Sequence, residues 1–70
     1  MPYLAVNKDG KEVRFDGGIL PSRDKNRGIW MQLVIRRDCT YVTDGITVPN
    51  GTIIALTGQK ISWKDEPIKL

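Results

Sequence analysis

The stretch Tyr3-Leu4-Ala5-Val6-Asn7-Lys8-Asp9-Gly10-Lys11-Glu12-Val13-Arg14-Phe15-Asp16 decides the fold class of this chain. Leu4 and Val6 alternate with Tyr3, Ala5 and Asn7; beyond Lys8-Asp9-Gly10, Val13 and Phe15 alternate with Glu12, Arg14 and Asp16. A two-residue period belongs to a pleated strand, and Asp-Gly supplies the positive φ that a tight turn requires. The pattern predicts a β-hairpin whose buried face carries Leu4, Val6, Val13 and Phe15.

The rest of the chain reads in the same key. Val, Ile and Thr total 18 of the 70 residues against 11 for Ala, Glu, Leu and Met, which favours sheet over helix. Further turn signals stand at Asp16-Gly17-Gly18, Asp44-Gly45 and Asn50-Gly51. Ile29, Met31, Leu33 and Ile35 alternate with Trp30, Gln32, Val34 and Arg36 in the longest strand, apolar on one face and partly so on the other, which predicts a central position. Thr40-Tyr41-Val42-Thr43 and Ile46-Thr47-Val48 are shorter strands. Thr52 as N-cap and Gly58 as stop bound a short helix at about 52–57, although Ile53-Ile54 would suit a strand equally. Ile61 and Trp63, then Ile68 and Leu70, flank Lys64-Asp65-Glu66-Pro67 and predict a final hairpin. Between residues 16 and 28 the apolar pattern lapses, which predicts a mobile loop. The expected fold is mainly β: a single small domain over 1–70, an antiparallel barrel or rolled sheet of about five to seven short strands with at most one short helix.

Composition narrows the chemistry. The chain has no histidine and a single cysteine, Cys39, which removes Ser-His-Asp and Cys-His catalysis, histidine or cysteine metal clusters and an intramolecular disulfide. A lone thiol suits a reducing cytoplasm, and the opening Met1-Pro2-Tyr3-Leu4-Ala5-Val6-Asn7-Lys8 lacks the basic start and apolar run of a signal peptide. The longest uncharged stretch, Gly45 to Gln59, is broken by glycine, proline and asparagine and will not span a bilayer. Pro2 is the one residue able to act as a base without histidine, as the N-terminal proline of small tautomerases does. Those enzymes need a long helix after their first strand, and Gly10, Gly17, Gly18, Pro21 and Gly28 forbid one here. Asp65 and Glu66 are the only adjacent acids and would point to opposite sides of an extended strand, poorly placed to share a proton or a metal. No cofactor motif is present, and the expectation is a protein that is not an enzyme.

What remains is binding. The net charge is +3, and residues 1 to 37 hold eight Lys and Arg against four acids, while 38 to 70 hold three against four. Arg23, Lys25, Arg27, Arg36 and Arg37, with Trp30 and Tyr41 as aromatic neighbours, are the candidate partner-binding residues; Tyr3 and Trp63 are further aromatic candidates, each also suited to the core. The same set could contact phosphates and stack a base, so a nucleic-acid-binding β module is the alternative. Asp24 and Asp38 interrupt the basic runs, and a modest charge more often marks a solvated face. A chain this short builds a core worth only a few kcal/mol, which a homo-oligomer would relieve.

Two segments carry a resemblance: the opening Tyr3 to Gly10, and Pro49-Asn50-Gly51-Thr52-Ile53 through Leu56 and Gly58 to Ile61-Ser62-Trp63-Lys64-Asp65-Glu66-Pro67. They resemble small phage- and prophage-encoded proteins of unknown function. The likeness spans about half the chain, chiefly its ends, and omits the middle from Gly17 to Thr43. It implies a source class and, for such proteins, an accessory binding role in the host cytoplasm, for example inhibition of a host-defence factor, or else a structural or assembly role in a particle. It assigns no site residue.

Overall fold

The computed structural model describes residues 2–70. Along the chain run β1 (Tyr3–Val6), β2 (Glu12–Phe15), β3 (Ser22–Asp24), β4 (Ile29–Ile35), β5 (Thr40–Thr43), β6 (Ile46–Val48), α1 (Thr52–Thr57) and β7 (Ile68–Lys69). The strands form two antiparallel sheets, ordered β6-β2-β1-β7 and β3-β4-β5. The fold is mainly β with one short helix, as the composition predicts, and takes the rolled form of the two expected; the described strands close no barrel.

The first hairpin corrects one expectation. Its connection, in which the Asn7 amide donates to Lys11 O (2.9 Å) and the Gly10 amide to Asn7 O (2.9 Å), sets Tyr3 opposite Phe15 and Ala5 opposite Val13. Directly opposed residues share a face. Tyr3, Ala5, Val13 and Phe15 therefore pack together with Trp30, while Leu4 and Val6 face the other way, onto Ile53, Ile61 and Ile68. The alternation was right and the pairing of faces was not, because turn length sets register and a shift by one residue exchanges faces. The result is a strand, β1, buried on both sides, with Leu4 and Ala5 fully inaccessible.

Three polar contacts join the two sheets where β1 ends and β4 begins. Trp30 donates its amide to Asn7 Oδ1 (2.9 Å) and its indole Nε1–H to Val6 O (2.9 Å), and the Lys8 amide donates to Gly28 O (2.9 Å). Every donor in this junction meets an acceptor, so its burial costs little.

Residues 16–28 are not one continuous loop, since β3 lies within them. Gln32, buried in β4, donates from Nε2 to Gly17 O (2.9 Å) and Ile19 O (2.7 Å) and accepts from the Gly17 amide (3.2 Å). One long-range amide thus stands in for a strand partner, and β3 follows, paired to β4. The segment lacks apolar periodicity because a side chain, and not a hydrophobic face, holds its first half.

Helix α1 spans the predicted residues and stops at Gly58, whose left-handed φ of 72° lets its amide donate to Ile54 O. Its start differs: Gly51 is the N-cap and Thr52 Oγ1 donates to Pro49 O instead. Glu12 on β2 supplies the cap, its carboxylate accepting from the amides of Gly51 (2.6 Å) and Ile53 (2.7 Å). The predicted final hairpin is absent from the described structure. Pro67 offers no amide to a ladder, Asp65 folds back to accept from the Ser62 amide (2.7 Å), and β7 pairs with β1.

Candidate protein-binding surface

Of the basic and aromatic candidates, two are structural. Arg23 lies opposite Trp30 in the β3–β4 ladder, its guanidinium carbon 4.6 Å from the Trp30 ring centroid and 5.0 Å from that of Trp63. The two indoles meet edge to face at 5.8 Å, and Arg23 donates to Trp63 O (2.8 Å). The guanidinium is thus a bracket holding the loop around Trp63 onto the sheet, and Trp30 is core. Trp30 is buried, whereas Arg23 stays partly exposed.

The remaining cations divide between the two ends of β4. Lys25 and Arg27 sit in the β3–β4 turn, where Arg27 bonds Asp24 (2.9 Å) and Asp44 (3.1 Å). The hydrogen bond to Asp24, then that to Asp44, raises the Arg27 pKa, and the same Arg27 side-chain bond holds the Asp24 carboxyl below its usual value. Arg36 and Arg37 lie at the opposite turn, which the Arg36 amide closes onto Cys39 O (2.8 Å). A strand of that length separates the turns by about 20 Å. The candidates therefore form no single basic patch; Arg36 and Arg37, both exposed, have Tyr41, half exposed, as their nearest aromatic candidate in the chain.

A different surface emerges from β4 itself. Trp30, Gln32 and Val34 face the core side, leaving the more apolar set Ile29, Met31, Leu33 and Ile35 on the outer side. Gln32 is 2 % exposed whereas Ile35 is 65 % exposed. Val42 of β5, directly opposite Leu33, extends the apolar face, with the two residues 51 % and 40 % exposed. The far edge of β5, Thr40-Tyr41-Val42-Thr43, has no strand partner among the described residues and carries neither charge nor proline. Natural edges are normally guarded by such residues.

Sequence reasoning did not single out Leu33, Ile35 and Val42, because alternation shows that the two faces of β4 differ and not which of them is covered. One signal was available: β4 has seven residues while β1 and β2 have four, so part of it must overhang the sheet behind it. The total surface is also somewhat larger than that of a compact chain. Accessible area is 4820 Å² in a chain of 7.9 kDa, against about 4,400 Å² for a compact monomer of that mass.

Among the described residues no group of three or more His, Cys, Asp or Glu is placed to hold a metal, and no helix is long and apolar enough to cross a membrane. Compared with protein-family models, with curated proteins and with solved structures, the chain matches none.

Proposed function

We propose that this chain is a non-enzymatic binding module that acts by docking the outer face of its β4–β5 hairpin onto a protein partner. The observation that carries the reading is the inverted burial of β4, a glutamine inside and an isoleucine outside. Exposed apolar side chains clustered beside an unguarded strand edge mark an interaction surface. Leu33, Ile35 and Val42 supply its apolar centre. Arg36 and Arg37 at the hairpin tip, with Asp38 the one acid beside them in sequence, call for a partner with an apolar patch rimmed by acids. The resemblance to phage and prophage proteins adds a bacterial host protein as the partner class, with inhibition of a host factor as one outcome of docking.

The test is affinity capture from bacterial lysate by the intact chain and by Ile35→Asp and Arg36→Glu/Arg37→Glu variants. Support is one bacterial protein retained by the parent chain, lost with Ile35→Asp and released by salt more readily from the arginine variant. Equal retention by all three removes the hairpin from the interface. A concentration-dependent dimer that Ile35→Asp abolishes would assign the face to a second copy. Salt-sensitive oligonucleotide binding through Arg36 and Arg37 would favour the nucleic-acid reading.

A further inference from the structure

On the side of the molecule where α1 and the 59–64 segment meet the first hairpin lies a groove of about 720 Å³, within the range of small-molecule sites. Val6 and Ile53, both buried, and the half-buried Ile61 and Trp63 make its apolar surfaces. Three ammonium groups, Lys8, Lys60 and Lys64, stand among its lining, all on exposed residues and none in an ion pair among the described residues. The one carboxylate there, Glu12, is committed to the amides of Gly51 and Ile53. The groove is therefore apolar below and cationic above.

We infer that this groove binds a small single-chain amphiphile with a carboxylate head, of the fatty-acid class, its chain on Val6, Ile53, Ile61 and Trp63 and its head among the three lysines. Charge complementarity selects an anion, and the backbone selects against a peptide. Strand β1 is paired to β2 along its whole length, β7 takes its other edge at Tyr3 and Leu4, and beyond β7 the Val6 carbonyl accepts from Trp30 Nε1, so an extended peptide laid there would find little of a ladder and would bury amides without partners. A ligand with one polar end avoids that cost. The site is separate from the hairpin face and stands or falls independently of it.

Decanoate, titrated below micelle formation at low salt and followed by tryptophan fluorescence, is the probe. A saturable change is expected, weakened at least tenfold in Lys60→Glu/Lys64→Glu, unchanged in Lys25→Glu, which lies outside the groove, and at least tenfold weaker for decanol. Circular dichroism of the double variant, whose altered side chains are exposed, should match the parent. No saturable change, equal affinity in the double variant, equal affinity for decanol, or binding to anionic vesicles without binding to decanoate would each overturn the assignment.

Discussion

Strand β1 and the β4–β5 hairpin are built from the same kinds of residue and meet opposite fates. In β1 both faces are buried, and Leu4 touches no solvent; in the hairpin Leu33 is half exposed and Ile35 more so. Apolar content therefore does not decide burial here. Position does: β1 has a strand on each side, the Trp30 cluster against one face and Ile53 of α1 against the other, whereas β4 overhangs the sheet behind it. An apolar face without a covering layer is retained in a 70-residue chain only at some risk of aggregation. That risk is the reason to read the face as functional.

The sharpest way to break this contrast is to make one substitution in both places. Leu4→Ala should cost about 2–5 kcal/mol in urea unfolding, enough to leave much of a domain this small unfolded, while Leu33→Ala should cost well under about 1 kcal/mol. Comparable losses would mean that the hairpin face is buried in solution. Gln32→Ala comes next. It strips partners from Gly17 and Ile19 and should cost about 1–3 kcal/mol, with faster hydrogen exchange confined to residues around 17–20; unaltered exchange would show that this segment is held by something else. Arg23→Lys keeps the charge but loses the planar group between two indoles, and should cost about 1–2 kcal/mol with a shift in tryptophan emission. An unchanged spectrum would remove Arg23 as the bracket. The smallest effect is electrostatic. Asp24 has its carboxyl pKa lowered in the fold by Arg27, so the stability it contributes is present above the ordinary carboxylate pKa and fades as pH falls through the lower folded value. Asp24→Asn should flatten the acid limb of a stability-against-pH curve slightly and leave neutral and alkaline pH behaviour alike; a change confined to alkaline pH would contradict the sign.

Much of the fold is legible in the residues. Alternation places β1, β2 and β4, glycine-bearing turns separate the strands everywhere except between β4 and β5, and Gly58 ends α1 where its left-handed φ is needed. Other features rest on partners far along the chain. Glu12 caps a helix that begins some forty residues later, and Gln32 holds a segment more than a dozen residues earlier, so neither leaves a local pattern. The candidate site was half legible. Arg36 and Arg37 lie at the tip of the hairpin that carries the proposed surface, but Tyr41, directly opposite Val34, is on its other face; the apolar centre was not singled out, and of the candidates Trp30 is core and Arg23 packs against it.

The division has one physical origin. Side-chain type and spacing determined that the chain is a β protein with short strands, one small helix, no histidine chemistry and two unlike faces on β4. Tertiary structure alone decided which of those faces is covered. Alternation records that the faces differ; it does not record where the other sheet lies. Here the junction of Asn7 with Trp30 and the three bonds of Gln32 hold the less apolar face inward, and the hydrophobic one is left exposed.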